Sequence, residues 1–453
     1  MSSRPRLLAA GLNVLACVSL ATTVLVPRSA HAEKVLVKGD NWDVYTDGRV
    51  GAFASYVFGD GAPVSSRMVP QSKGGVGPDF VQGGGWAVTA RNDSPGETQG
   101  DVKMMRIRSG FIGNQLGLGV RTEIYPGLKA SAYIQIWAFV ESENRSKGLP
   151  NPADIRQGYG KLEGMWGSFI AGRTRTLFSR GATDINALYA HRWGVGFPNA
   201  IDSKGPTQGM VGFGVMGSGF AAGLIYGTPV LAGFQLNVGI FDPTALAAGG
   251  WTGTHLARPE AELTFERNIG DIGKFVLFAN GTYQSVYKPG YCQPTAVTPA
   301  SLAAGMGGGP CEANAAGVGY GGRLEVGPVR LGVAGHYGKG LGLNYALEQS
   351  YAAMDPGTSP RTFDGYYVQS QVVLNKFDLF AGWGIARVFL TPLDKQLPEN
   401  SNLKYQTGIN GGVVYNLSPN VHFDLEYFRA QAKWWYGEQQ TLNSFASGMT
   451  VNW

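Results

Sequence analysis

The sequence predicts an all-β protein, one transmembrane antiparallel β-barrel of about sixteen strands. Three observations lead there. The chain opens on an export signal, apolar and polar residues then alternate with period two, and short turns alternate with long loops between the runs.

The export signal comes first. Arg4 and Arg6 precede an apolar stretch from Leu7 to about Val26, and Ala30-His31-Ala32 supplies a small-x-small cleavage site. Residues 1–32 are therefore expected to be a signal peptide, with residues 33–453 forming one barrel. A membrane anchor fits less well, because Glu33-Lys34 follows at once. A lipoprotein reading of Cys17 fits poorly with the apolar run after it. Removing 1–32 takes Arg4, Arg6 and Arg28 and no acid, so the formal charge falls from +5 to +2 and gives no indication of nucleic-acid binding. The 68 Gly, 22 Phe, 20 Tyr and 10 Trp of the 453-residue chain depart from a helical enzyme. No segment of the mature part reaches the roughly 18 apolar residues of a spanning helix, so a membrane crossing must use strands.

The alternation is plainest in four stretches. Val44, Val50, Ala52, Ala54, Tyr56 and Phe58 oppose Asp43, Asp47, Arg49 and Ser55. Leu128, Ala130, Ala132, Ile134, Ile136, Ala138 and Val140 oppose Lys129, Ser131, Tyr133, Gln135 and Glu141. Ala261, Leu263 and Phe265 oppose Glu260, Glu262, Thr264 and Glu266. Val421, Phe423, Leu425 and Tyr427 oppose His422, Asp424 and Glu426. Two soluble β-sandwiches would carry aliphatics on both inward faces, whereas the polar faces here are too charged for a packed core. Short periplasmic turns are expected at Tyr125-Pro126-Gly127, Met165-Trp166-Gly167, Gly327-Pro328, Asn375-Lys376 and Ser418-Pro419-Asn420. Long external loops are expected over about 59–103, 142–155, 176–218, 243–257, 288–317, 339–363 and 391–403. Trp137, Trp166, Trp434, Trp435 and Tyr436 fall at strand ends, where interfacial girdles are expected. Cys292 and Cys311, the two cysteines left after cleavage, are expected to form a disulfide in the 288–317 loop. Phe445, Met449, Val451 and Trp453 share one face of the last strand, and a final aromatic resembles the signal read by the outer-membrane barrel assembly machinery.

Four stretches resemble the Gram-negative general porins: Val44 to Val50, Arg108-Ser109-Gly110-Phe111-Ile112-Gly113, Arg156 to Gly160 with Gly167 to Arg173, and Tyr226-Gly227-Thr228-Pro229 through Phe234. The resemblance implies a homotrimer of sixteen-stranded barrels in outer-membrane lipid, each with a third loop folded inward to narrow the pore. That loop is about 176–219, and it lacks the family's Pro-Glu-Phe-Gly-Gly motif. Arg108 and Arg173 fall on the wall-arginine positions. Arg49, Asp184, Arg192 and Asp202 complete the candidate constriction, and the loop's basic residues give a lean toward anions.

The expected function is passive diffusion of small hydrophilic solutes and ions, with no catalysis, cofactor or metal. A substrate-specific channel for a sugar or dicarboxylate is the alternative, for which Phe178, Tyr189, Trp193 and Phe197 would line the path. An outer-membrane enzyme or adhesin is a third reading. Gly212-x-Gly214-x-x-Gly217 matches the dinucleotide fingerprint in letters, but no helix pattern follows it. His191, His255, His336 and His422 lack metal-ligand spacing.

Overall fold

The computed structural model describes residues 33–60, 102–110, 113–138, 153–186, 210–244, 254–270, 272–287, 312–343, 346–347, 353–355, 359–396, 403–435, 437 and 439–453. The strands are β1 (Lys34–Lys38), β2 (Trp42–Gly59), β3 (Val102–Arg108), β4 (Asn114–Tyr125), β5 (Leu128–Ala138), β6 (Ala153–Gly164), β7 (Gly167–Arg175), β8 (Phe220–Gly227) and β9 (Phe234–Phe241). They continue as β10 (Arg258–Ile269), β11 (Gly273–Tyr287), β12 (Glu312–Val326), β13 (Val329–Lys339), β14 (Thr362–Leu374), β15 (Phe377–Phe389), β16 (Leu403–Ser418), β17 (Val421–Trp434) and β18 (Gln439–Asn452). One short helix, α1 (Arg180–Ile185), follows β7.

These eighteen segments fill sixteen lanes. β2 pairs with β4 along Trp42–Arg49 and with β3 along Phe53–Gly59, so β3 and β4 are two halves of one lane. On its other side β2 pairs with β18 and then with β1, so the chain's two ends share a lane. Gly48 and Trp453 exchange backbone hydrogen bonds of 3.0 Å each way at that junction. Every pairing is antiparallel, and β18 returning to β2 closes the cylinder. Closure matters because a sheet edge in hydrocarbon would leave a row of N–H and C=O groups without partners.

The two faces differ as the alternation predicts. Ile134, Leu118 and Leu425 are 54%, 52% and 51% exposed, whereas Gln135, Glu262 and Glu426 on the opposite face are buried. Large apolar side chains presented outward on strand after strand would be costly in water and suit lipid. All five expected turns are observed, and two more join β8 to β9 and β10 to β11. The two-residue turn after β14 places Asn375 at φ 52°, a left-handed conformation that asparagine tolerates. An eighth, short external connection links β17 to β18.

The girdle expectation holds only in part. Trp166 is exposed in its turn and stacks on Tyr226 at 6.2 Å. Trp137 and Trp434 instead lie buried on the inner face, because each falls in register with inward neighbours (Gln135 and Ala432) rather than outward ones. Tyr436 lies outside the described residues.

Candidate functional site: the inner wall and the third loop

The loop after β7 turns into the barrel. Its neck closes where Thr176 N donates to Gly219 O at 3.0 Å. Leu177 N and Phe178 N donate to Glu260 Oε2 on β10 at 2.7 and 2.8 Å. Ser179, at φ 64°, reverses the chain into α1. Arg180 Nε then donates to Glu262 Oε2 at 2.8 Å, Arg323 of β12 donates to Asp184 O at 3.3 Å, and Tyr367 OH of β14 donates to Ala182 O at 3.4 Å. The rising limb therefore runs along the inside of β10–β14.

The returning limb, 210–219, lies on β14–β17. The Gln406 side-chain amide donates to Gly212 O, and Phe213 meets Phe428 edge-on at 5.1 Å. A Cβ at Gly384 would collide with the Phe213 carbonyl, and one at Gly214 (φ +104°) would strike the Tyr366 carbonyl. The Gly212-x-Gly214 pair thus serves close approach of loop to wall. Leu341, Leu347 and Met354 of the next inner loop join Phe178, Met210 and Phe363 in one apolar cluster. Outside that cluster, Arg361 holds Asp394 through two 2.9 Å hydrogen bonds, and Thr391 Oγ1 donates to Asp355 Oδ2 at 2.6 Å. Burial pushes the Asp355 carboxyl up. Burial acts the same way on Asp394, but the Arg361 guanidinium outweighs it and holds that carboxyl below its ordinary value.

The wall from β2 to β7 is of another kind. Tyr133 OH donates to the Asp47 carboxylate at 2.8 and 2.9 Å, and its ring stacks on Tyr45 at 6.3 Å and tilts against Tyr159 at 5.6 Å. Further up, Gln157 and Trp137 both donate to Gln135 Oε1 at 2.9 Å, and Thr174 Oγ1 donates to Gln157 at 3.3 Å. Arg156 lies over Trp137 at 5.0 Å and Phe220 at 5.8 Å. Ion pairs punctuate this wall: Lys161 with Glu163 at 2.6 Å, and Arg121 with Glu33 at 2.8 Å and Asp43 at 3.3 Å. Hydroxyls, amides and paired charges of this sort can exchange hydrogen bonds with a hydrated solute.

Of the candidate constriction residues, Asp184 is in α1 and pairs with Arg175 at 2.8 Å. Arg173 does not face the loop. The β7–β8 register runs unbroken from Ser168↔Gly227 to Arg175↔Phe220, and Ile170 packs inside against Leu177, Ala221 and Ile225. Counting by two from Ile170 puts Thr174 inward and leaves Arg173 outward with Phe169 and Ala171. Motif resemblance does not mark Arg175, and the same count gives it the outward parity of Arg173; it reaches Asp184 and Ser218 because the strand ends there and the chain turns into the loop. Arg49 is buried on the inner face of β2, within electrostatic reach of Asp424. Arg108 ends β3 opposite Phe53, its side chain outside the described residues. Arg192, Asp202, Cys292 and Cys311 also lie outside them, as do Tyr189, Trp193 and Phe197. Phe178 is fully buried in the apolar cluster, which removes it from a solute path. Glu260 and Glu262, read from sequence only as polar-face residues, are the anchors of the loop. Among the described residues no group of His, Cys, Asp or Glu could hold a metal.

The profile of the Gram-negative porins matches residues 16–433. The chain belongs to that family. Solved structures carry the same fold. The outer-membrane channel DcaP of Acinetobacter baumannii superposes at TM-score 0.61 and 14% identity over 92% of this chain and 99% of its own. The anion-selective porin of Comamonas acidovorans does so at 0.57 and 12% over 91% and 100%, and Pseudomonas putida OprB at 0.51 and 10% over 91% and 94%. No curated protein matches in sequence. The porin is thus an outer-membrane, multi-pass β-barrel and a channel for passive diffusion.

Proposed function

We propose that this porin conducts small hydrophilic solutes and ions with weak charge selectivity, along a path bounded by the β2–β7 wall on one side and the third loop on the other. The observation that carries this reading is the attachment of both limbs of the loop to β10–β17, which leaves the opposite polar wall to line the water. The narrowest point is set by α1 with its Arg175–Asp184 pair, together with Arg108 and, within 187–209, Arg192 and Asp202, while the buried Arg49 adds its charge from within the wall. Selectivity is weak because the charges flanking the path are matched: Arg175 with Asp184, Lys161 with Glu163, and Arg121 with Asp43 and Glu33. The lean toward anions loses one contributor, since Arg180 is occupied by Glu262. The porin performs no chemistry on what it passes. Cleavage after Ala32, a Cys292–Cys311 bridge, assembly through Trp453 and trimerisation complete the proposal.

Planar bilayers test it. Purified protein should give ohmic channels whose conductance scales with salt, and a reversal potential of a few millivolts in a tenfold gradient. Absence of conductance ends the reading. Current blocked by micromolar concentrations of one solute moves it to a substrate-specific channel.

A further inference from the structure

The displacement of Arg173 from the lumen leaves a cation on the lipid-facing surface. It lies two residues below the external end of β7, exposed, between Ala222 on β8 and Gly158 on β6. Neither neighbour carries a charge, and a Cβ at Gly158 would meet nothing within 4 Å; the acid next along the row, Asp242, stands one strand beyond Ala222. Arg387 makes the contrast. It also faces outward near the external rim, but it grips Asp364 through hydrogen bonds of 2.7 and 2.6 Å. A guanidinium bordering hydrocarbon favours an anion, and a phosphate suits its forked donors.

Beside Arg173 the barrel surface is hollow. The cross-strand row Phe169–Tyr226–Val238–Ala261–Gly281 falls from aromatic rings to a methyl and then to no side chain at all. Leu224, Ile240 and Tyr283 border the resulting groove, which is shallow, open to the outside and apolar. Phe169 opens the groove four residues below Arg173 on the same strand and face, about 13 Å at the usual strand rise. Charge above and apolar hollow below match an amphiphile whose anionic head lies toward the long-loop side.

We propose that Arg173 and the β7–β11 groove form a binding site for a phosphate-bearing acylated glycolipid of the outer leaflet, with the phosphate on Arg173 and acyl chain in the groove. Native mass spectrometry of the detergent-purified full chain, titrated with bisphosphorylated lipid A and with the same lipid after dephosphorylation, tests it. Wild type should retain bisphosphorylated lipid A and lose most of the adduct when phosphate is removed. Arg173→Ala should lower occupancy about tenfold, Arg173→Lys should restore most of it, and Ala261→Trp should lower it with the arginine intact. Arg429→Ala, which removes another exposed outward cation, should leave it unchanged. The proposal is overturned if Arg173→Ala binds like wild type, if dephosphorylated lipid A binds as well, or if Arg429→Ala loses as much. It also falls if Arg173→Ala disperses an oligomer while lipid binding persists, since the face would then be a protein contact.

Discussion

The inner wall has two halves built from the same alternating strand. Along β2–β7 the inward residues are tyrosine, glutamine, threonine and paired charges, linked side chain to side chain. Along β11–β17 the external part of the inner face carries Ala315, Ala334, Phe363, Tyr367, Ala386 and Val388, with Gly384 and Gly408, and the third loop is packed onto it. The inward positions against the loop are therefore small or apolar except where Glu260, Glu262, Arg323 and Gln406 hold its polar groups, whereas those of β2–β7 are hydrogen-bonding. The same barrel supplies a track on one side and a seat on the other. Hydrophobic burial fixes the loop, and the hydrogen-bonding wall opposite is left for the solute.

The most direct attempt to break this contrast removes the seated loop. Replacing residues 180–216 by a short linker should raise single-channel conductance roughly twofold or more, since the constriction goes while the barrel stays; unchanged conductance would mean the loop does not narrow the path. The Arg361–Asp394 pair, both side chains 3% exposed or less, should come next. Arg361→Ala leaves a buried carboxylate and should cost about 3–5 kcal/mol in urea unfolding in detergent. Gly384→Val forces a side chain into the Phe213 carbonyl and should cost about 1–3 kcal/mol, with unsteady current levels. Gly158→Val, on the outer face of the other half with open space around it, should change stability by less than about 0.5 kcal/mol. Equal effects at the two glycines would falsify the seat.

Acidity gives the smallest expected effect, and it has two parts. Asp394 has a lowered folded pKa, so its stabilisation is present above the ordinary carboxylate range and is lost as pH falls through the folded value. Asp355 has a raised folded pKa, so its contribution is present at low pH and is lost as pH rises through that value. Protection of the external loops from protease, followed from about pH 7 to about pH 3, should rise slightly and then fall. Asp355→Asn should abolish the rise and Asp394→Asn the fall; a curve that still rises and then falls in either variant would sink the assignment.

Much of this was legible in the chain. Ile134 against Gln135, and Leu425 against Glu426, already say that one face is greasy and the next wet. Asn375-Lys376 and Pro126-Gly127 already say where the strands turn. The site was harder to read. Motif resemblance puts Arg173 on the pore wall, whereas the pairing of β7 with β8 turns it outward; Arg175 has the same parity and makes the loop contact only because the strand ends there and the chain turns inward. A strand slipped by one residue exchanges its faces, so a motif aligned by letters carries no information about direction. Trp137 and Trp434 went astray for the same reason: a position near a strand end does not say which way the ring points.

The sequence by itself determined the strand rhythm, the turns and the division into lipid-facing and inward-facing residues, because these are local properties of backbone period and side-chain polarity. Only the tertiary structure decided which inward residues meet water and which meet the third loop. That choice depends on contacts such as Phe178 N to Glu260 and Gln406 to Gly212, between residues 82 and 194 positions apart. No local pattern encodes a partner at such a distance, because the geometry that joins them exists only once the barrel has closed.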